Sequence, residues 1–287
     1  MHDRWSAALV VDPHDPYFFD HPLDHLPGMA LVCGLFELLR SADVGIEGTR
    51  RQMLVSLRFP LFCELGDPVG LEAVVPAPAR SVAFVGHLAA SGGDGASTAG
   101  DIGLRAFQGE TTVCEGTVGF RTGEPSRPEV PGTRVSAPAP PADPALVHRQ
   151  HPENVLISAM DADYSVAVRR PPPGHPLAGP PGAPARVELV VDAARQFATM
   201  INHVAGRSRP GATFVLLDLD ADLPGDLSGD IALNWTPEPA ARGRLSLTIR
   251  VLVDGVPRGH VGFRYYVATP AVYDRLRRPT ASTGRQA

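Results

Sequence analysis

The stretch Tyr17–Arg40, YFFDHPLDHLPGMALVCGLFELLR, constrains the fold of this chain more than any other part of the sequence. It opens with a polar loop of histidines and aspartates and then enters an almost wholly apolar segment, Met29–Leu39. Pro27 favours a helix that begins here, because proline suits the first turn of a helix. A helix that is apolar nearly all round must be buried on every side. The stretch therefore predicts a long helix buried at the centre of the fold.

Composition limits the classes of protein that fit this chain. Its 287 residues, 44% of them hydrophobic, suffice for one large domain or two modest ones. A net charge of −5 gives no electrostatic reason to expect nucleic acid or an anionic membrane as a partner. No apolar run reaches about 18 residues, and the amino terminus is too polar for a signal peptide. We therefore expect a soluble, cytoplasmic protein.

The three cysteines indicate reduced thiols rather than a framework of disulfides or metal ligands. Cys33, Cys63 and Cys114 are scattered, odd in number and show no CxxC spacing. No structural zinc site can be drawn from them, and the sequence suggests no metal and no other cofactor. Cys33 lies within the apolar helix, so we expect a small core residue there rather than a nucleophile.

After the first helix, the pattern changes to strands. Alternating and β-rich runs separated by turn signals predict a sheet that follows the helix. A Gly/Ser-rich run, Ala90–Gly100, interrupts the series and reads as a mobile loop. The predicted strands of this half are Met53–Phe59, Val69–Val75, Ser81–Leu88, Gly103–Gln108 and Thr111–Arg121.

The second half repeats this plan beyond a proline-rich linker. Apolar residues keep helical spacing over Val187–Val204, which predicts a second long helix. The repetition indicates an internal duplication of class α+β. Its predicted strands are Val155–Ser158, Tyr164–Arg169, Thr213–Leu219, Ile231–Trp235, Arg244–Val253 and His260–Ala268, and a short helix follows at Pro270–Arg277. We place the domains at residues 1–121 and 148–287, joined by the linker 122–147.

The motifs resemble a known family. The run FFDHPLDHLPGM, Phe18–Met29, resembles the signature of the AfsA-like hot-dog family, which makes γ-butyrolactone signals. In the second half, LVHRQHPENVL, DAARQ and TPAVYDRLR resemble further segments of that family. The resemblance implies a tandem hot-dog fold, in which each half is a long central helix wrapped by a curled antiparallel sheet. The two halves would form an intramolecular pseudo-dimer, in exchanged order relative to the family. Whether two such chains pair further stays open.

The two halves retain different parts of the family pattern. The second helix keeps Asp192, Arg195 and Gln196, whereas the first helix has Cys33 and its neighbours at the matching positions. The loop before the second helix has GAPAR, ending in Arg186, in place of a histidine and an aspartate. Since hot-dog sites combine the loop of one unit with the helix of the other, the resemblance implies one complete site and one that lacks both parts.

Chemistry assigns roles to the residues of the complete site. A carboxylate beside a histidine orients the ring and raises its basicity, so His21 or His25 is the candidate general base, supported by Asp192. Backbone N–H groups at the helix start can polarise a thioester carbonyl, and an Arg can hold a phosphate or a carboxylate. The predicted catalytic residues are His21, Asp24, His25 and Asp192. The predicted substrate-binding residues are Gly28, Arg195, Gln196 and Arg186.

The resemblance implies an acyltransferase. It would move a β-ketoacyl group from an acyl-carrier-protein or CoA thioester to a hydroxyl of a small acceptor such as dihydroxyacetone phosphate. A hot-dog dehydratase or thioesterase acting on an acyl-carrier-protein substrate is the alternative enzyme, and a non-catalytic acyl-binding protein is the alternative outside enzymes.

Structural readings of the same residues also stay open. His21 and Asp24 would serve equally to cap the helix or close the loop. Asp192, Arg195 and His203 would equally form a solvated stripe with an ordinary ion pair along one helix face.

Overall fold

A computed structural model describes residues 2–46, 51–76, 100–122, 139–205, 213–237 and 245–277. In these ranges ten strands form one antiparallel sheet, and two long helices pack against it. The predicted strand Ser81–Leu88 lies outside the described residues, as does the predicted loop at 90–100 except for Gly100.

Most of the described elements follow the predicted order, but the predicted strand Val155–Ser158 forms only isolated β-bridges, of Ile157 with Val168 and of Ser158 with Pro141. The first half contributes β1 (His2–Leu9), α1 (Gly28–Ser41), β2 (Arg51–Arg58), β3 (Val69–Pro76), β4 (Ile102–Gln108) and β5 (Thr111–Thr122). The second half contributes β6 (Ser165–Ala167), α2 (Val187–Val204), β7 (Thr213–Pro224), β8 (Ile231–Asn234), β9 (Leu245–Val253), β10 (Val256–Ala268) and α3 (Pro270–Arg277).

The strand order shows the duplication directly. Across the sheet it runs β1-β3-β4-β5-β2-β7-β10-β9-β8-β6. Counted inward from either edge, the two halves have equivalent orders, with β2 and β7 meeting at the centre. This central pair is antiparallel, from Gln52 opposite Pro224 to Arg58 opposite Asp218. Helix α1 contacts β1, β3 and β4, while α2 contacts β9 and β10. Within the described residues, the chain is therefore a tandem of two units, each with five strands and one long helix that packs against some of them.

Two glycines make close approach possible at equivalent places beside the central strands. A Cβ on Gly116 of β5 would lie 1.8 Å from the carbonyl oxygen of Ser56 in β2. A Cβ on Gly259 of β10 would lie 2.0 Å from the carbonyl oxygen of Asp222 in β7. Only glycine leaves room for such contacts between backbones.

The structure extends or adds strands where the apolar signal is weak. β7 continues to Pro224 because Asp218, Asp220 and Asp222 alternate with apolar residues, as expected for a sheet with one polar face. β1 is an edge strand paired with β3, although no strand is predicted from the sequence before the first helix. Of the predicted linker, residues 123–138 lie outside the described ranges, and residues 139–147 contact the second half, where the Ala142 N–H donates to the Ile157 carbonyl. The division into domains stays a prediction.

The two helices run antiparallel where they meet. At the carboxyl end of α1, Arg40 forms a bidentate ion pair with Glu188 at the start of α2. Its two terminal nitrogens donate to the two carboxylate oxygens at 2.8 and 2.7 Å. The start of α1 lies instead across a cavity from Arg195 and His203, farther along α2. α1 is buried apart from a few positions, as its apolar sequence predicts, whereas α2 also buries several polar side chains. Those polar residues define the candidate site.

Candidate active site

A cavity of about 1350 Å³ lies between the two halves. Its wall combines both units: the loop before α1 and the start of α1, the segment after β2, the middle of α2, the start of β7, and α3. Polar residues of the wall include His21, Asp24, His25, His148, Arg149, Arg195, Thr199, His203 and Tyr273. Apolar residues include Leu26, Met29, Leu31, Phe59, Leu61, Phe62, Phe214, Leu216 and Leu276.

The histidine loop, Asp20–His25, presents an oriented imidazole to this cavity. His25 Nδ1 lies 2.8 Å from Asp24 Oδ1. Because a carboxylate only accepts hydrogen bonds, Nδ1 carries the proton and Nε2 is left as an acceptor. Burial raises the pKa of Asp24, but hydrogen bonds from His25 and Tyr273 and the charge of Arg277 outweigh it and lower that pKa to about 2. The dyad is therefore a histidine whose Nδ1–H is held by an ionised aspartate.

His21 lines the same cavity without a partner of this kind. Burial lowers the pKa of its ring, against the opposing effect of Asp20, and the charges of Arg149 and Arg195 lower it further. Among the described residues no hydrogen bond joins Asp20 to that ring; its two oxygens instead accept the backbone N–H groups of Gln150 and His151 at 2.8 and 2.9 Å. His21 is thus kept neutral, and Asp20 joins the loop to the second half.

Asp192 is fully buried and holds two arginines. Its Oδ1 accepts from Arg195 Nε at 2.6 Å, and its Oδ2 accepts from Arg149 at 2.8 Å and from Gln196 at 2.9 Å. Burial alone raises the pKa of Asp192, but Arg195 and Arg149 hold it well below its usual range. Its hydrogen bonds within the described residues include no histidine. Asp192 therefore does not support His21 or His25 directly; it fixes the arginines beside them.

Gln196 belongs to the same buried network and lies outside the cavity wall. Its amide nitrogen donates to the Asn154 carbonyl and to Asp192, and its oxygen accepts the Leu156 N–H at 2.9 Å. The side chain is completely buried. The predicted substrate contact is thus replaced by a structural one, which ties α2 to residues 154–156.

Arg195 begins a polar stripe along α2 that faces the cavity. Arg195, Thr199 and His203 recur at four-residue spacing, which places them on one helix face. His203 Nε2 lies 2.8 Å from His148 Nε2, so one ring donates and the other accepts. Burial, then His203 and Arg195, lower the pKa of His148 to about 4. The helical spacing alone could have identified Thr199 and His203, whereas no sequence signal places His148 beside them.

The start of α1 supplies backbone donors to the cavity. Gly28 lines the wall, and Pro27 is an extended N-cap without a side-chain cap bond. The first N–H groups of a helix have no acceptor within the helix and carry partial positive charge. This location can therefore stabilise a developing oxyanion, as predicted for Gly28.

Arg186 lies at the equivalent place in the other half, outside the cavity. It donates to Glu37 at 2.9 Å and to Glu188 at 3.3 Å, beside the Arg40–Glu188 pair. Its charge is thus already neutralised, so the predicted role in holding a substrate phosphate is replaced by a bridge between the helices. The charged side chains that occupy the place where the duplication would put a second site are Glu37, Arg40, Arg186 and Glu188.

His175 is a histidine that sequence reasoning missed. His175-Pro176-Leu177 repeats His21-Pro22-Leu23, five residues before the GAPAR run. The His175 ring is buried, accepts the Leu177 N–H at Nδ1 and packs edge-on against Tyr17 at 4.6 Å. This ring does not line the large cavity.

Other features bear on the kinds of chemistry available. Within the described ranges, no three His, Cys, Asp or Glu side chains are grouped to hold a metal ion. Burial, and then the charges of Glu188 and Asp192, raise the pKa of the Cys33 thiol well above its usual value, which fits a packed residue and not a nucleophile. None of the described helices combines the length and apolarity needed to cross a membrane.

Comparison with protein families identifies a relative of the second half. Residues 133–267 match the family model of the A-factor biosynthesis hotdog domain. The 2-oxo-3-(phosphooxy)propyl 3-oxoalkanoate synthase of Streptomyces virginiae is 37% identical over 86 residues, which are 28% of this chain and 28% of that protein. The match thus spans little more than a quarter of the curated relative.

Solved structures of similar fold cover nearly the whole chain. The dehydratase domain from the CurJ module of curacin polyketide synthase has a TM-score of 0.57 at 12% identity, covering 94% of each chain. A putative thioesterase from Novosphingobium aromaticivorans has a TM-score of 0.55 at 16% identity, covering 93% of this chain and 96% of that one. The dehydratase domain of PpsC from Mycobacterium tuberculosis, in complex with C12:1-CoA, has a TM-score of 0.54 at 19% identity, covering 93% and 94%. These similarities show the hot-dog fold.

Proposed function

We propose that this AfsA-like chain, whose residues 133–267 match the A-factor biosynthesis hot-dog domain, transfers an acyl group from a thioester to a hydroxyl of a small phosphorylated acceptor. The observation that carries the proposal is one cavity, shared by both halves, with an oriented His25, an uncapped helix start at Gly28 and a charged Arg195. The name of the similar synthase from Streptomyces virginiae supports a 3-oxoacyl donor and dihydroxyacetone phosphate as acceptor.

His25 acts as the general base in this scheme. Asp24 holds the Nδ1 proton, so Nε2 takes the proton from the acceptor hydroxyl as its oxygen attacks the thioester carbonyl. The new C–O bond converts the carbonyl into an oxyanion, which N–H groups at the start of α1 stabilise. Collapse then breaks the C–S bond, and the departing thiolate receives the proton from His25. The products are an ester and a free thiol.

The cavity wall divides into parts suited to the two substrates. Arg195 remains 30% exposed although its Nε is bound to Asp192, so its other nitrogens can bind the acceptor phosphate. His148 and His203 lie beside it and add hydrogen-bonding groups. The apolar wall, which includes Phe59 and Leu216, suits the acyl chain. The donor would be an acyl-carrier-protein or CoA thioester, and the pathway one of γ-butyrolactone signals or other specialised metabolites.

Mass spectrometry of the purified protein with a β-ketoacyl thioester mimic tests this proposal. Reactions are run with and without dihydroxyacetone phosphate, and a matched reaction contains dihydroxyacetone. We expect an ester only when an acceptor is present, formed faster with the phosphorylated one. Thiol release or water loss independent of the acceptor would replace the proposal with a thioesterase or dehydratase. Bound but unconverted thioester would replace it with a non-catalytic acyl-binding protein.

Arg195→Gln is expected to weaken binding of the phosphorylated acceptor. Loss of a charged hydrogen bond to phosphate should raise the KM for this acceptor about ten- to a hundredfold, with less effect on the KM for the thioester. The measurement is steady-state kinetics with each substrate varied in turn. Arg186→Gln removes the same charge outside the cavity and should leave the acceptor KM unchanged. A larger effect from Arg186→Gln would move the phosphate site to the other half.

A further inference from the structure

The carboxy-terminal helix α3 contacts the histidine loop across nearly the whole sequence. The Tyr273 hydroxyl donates to Asp24 Oδ1 at 2.5 Å and lies 3.1 Å from His25 Nδ1. Arg277 donates to Asp24 Oδ2 at 3.2 Å and to the Asp24 carbonyl at 2.7 Å. One helix of the second half thus contacts both oxygens of the carboxylate that orients His25.

A second set of contacts fixes α3 in this position. Arg277 forms a bidentate ion pair with the Glu64 carboxylate, with distances of 2.6 and 2.8 Å. The backbone of Glu64 in turn forms a β-bridge with His25. Phe62 packs edge-on against His25 at 5.0 Å and against Tyr273 at 5.6 Å, while Arg277 lies over the Phe62 ring. The contacts join α3, the segment after β2 and the histidine loop into one cluster.

Asp24 needs such partners because it is not held by burial. Its side chain is 54% exposed. An exposed carboxylate beside a histidine next to it in sequence can rotate toward water, since ordering a side chain costs conformational entropy. Bonds from Tyr273 and Arg277 restrict the carboxylate to the orientation in which it accepts from His25 Nδ1. No other side chain of the described residues donates to Asp24 besides these three.

We propose that Tyr273 and Arg277 are positioning residues, which hold Asp24 so that His25 keeps its proton on Nδ1 and offers Nε2 to the substrate. The inference rests on the proposed function for its effect on turnover, but the geometry of the dyad stands independently of which reaction follows. Neither residue contacts the reacting atoms in this scheme. Both act through Asp24, and both come from the half of the chain that does not contain the base.

Kinetics of Tyr273→Phe and Arg277→Gln form the first test. Each change removes a hydrogen bond to Asp24, so each should lower kcat about tenfold, with KM values for both substrates nearly unchanged. Arg275→Gln on the same helix is the matched control for charge, because Arg275 is exposed. Tyr164→Phe is the matched control for loss of a hydroxyl, since Tyr164 packs on Trp235 beside the far edge of the sheet. Both controls should retain wild-type kcat.

Nitrogen-15 NMR of the histidine rings forms the second test and requires no activity. The His25 signals are assigned by their absence in His25→Ala. The wild-type ring should be the Nδ1-protonated tautomer, while Tyr273→Phe and Arg277→Gln should shift it toward the Nε2-protonated tautomer. An unchanged tautomer in both variants would overturn the proposal, even if the wild-type protein fails to transfer acyl groups. A shifted tautomer in a protein without transferase activity would uphold the positioning role and reject only the proposed reaction.

Discussion

His25→Ala is expected to lower the rate of acyl transfer about a thousandfold, the middle of the range for removal of a general base. A carboxylate orients this ring, whose Nδ1 lies 2.8 Å from Asp24. Its loss leaves the helix start and Arg195 in place, so thioester and acceptor should still bind. Single-turnover kinetics with both substrates measure the effect, and KM values should change little.

Chemical rescue separates a base from a structural residue. Added imidazole can occupy the space left by the truncated ring and accept the hydroxyl proton, so it should restore part of the rate in His25→Ala. His14→Ala serves as the control, because His14 is exposed outside the cavity wall. Unchanged kcat in His25→Ala, without imidazole, would exclude this residue as the base.

His21→Ala distinguishes the two histidines of the loop. Among the described residues, no carboxylate orients His21, although its ring lines the cavity. Its removal should therefore lower the rate of acyl transfer about tenfold, which corresponds to the loss of one hydrogen bond to a bound substrate. If His21→Ala lowers the rate more than His25→Ala does, the base is His21, and the dyad of Asp24 and His25 serves to hold the loop. The same kinetic series therefore assigns the base among the two candidates that the sequence leaves open.

Regular spacing made much of the fold and part of the site predictable. The period of the apolar residues identifies both long helices and most of the described strands. It also places Asp192, Arg195 and Gln196 on one face of α2, where the structure has them. Periodicity does not say what lies opposite that face. The interpretation of Asp192 as part of a solvated stripe is wrong, because its side chain is completely buried and accepts a hydrogen bond from the buried Arg149.

The contacts that could not be predicted are those between distant segments. Arg149 reaches Asp192 across 43 residues of sequence, and Tyr273 reaches Asp24 across 249. No local pattern encodes either distance, since both depend on how the halves pack. His148 adopts a left-handed conformation, with φ 52° and ψ 50°, at the end of a 3₁₀ turn before it meets His203. Such a turn depends on tertiary contacts rather than on propensity.

Asp192→Ala is expected to produce a larger loss of stability than the other substitutions considered, because it removes the closer of the two carboxylates that face the buried charge of Arg149 and leaves only Asp20, at 3.9 Å. The Arg149 side chain is only 6% exposed and bonds Asp192 at 2.8 Å and the Tyr17 carbonyl at 2.9 Å. Removing one partner of a buried ion pair typically costs about 3–5 kcal/mol. Urea denaturation measures the free energy of unfolding. Asp192→Asn keeps the shape and some hydrogen bonds, so its loss should be smaller, roughly 2–3 kcal/mol.

The pH dependence of stability gives a second signature of the same carboxylate. The pKa of Asp192 is lower in the folded chain than in the unfolded chain, where it is about 3.9. The stabilisation is therefore fully present above the unfolded value and is lost as pH falls through the folded one. Below about pH 4, the wild-type protein should lose stability more steeply than Asp192→Asn, which has no carboxylate to protonate at this position.

A paired substitution shows whether the loss arises from an uncompensated charge. Replacing both Asp192 with Leu and Arg149 with Met removes the buried pair together, and apolar replacements of such pairs are often neutral or stabilising. The double variant should therefore recover much of the stability lost in Asp192→Ala. Glu37→Gln, at an exposed partner of Arg186, is the control and should cost less than about 1 kcal/mol. If Asp192→Ala costs no more than Glu37→Gln, the buried network does not fix the two arginines, and their position beside the cavity needs another cause.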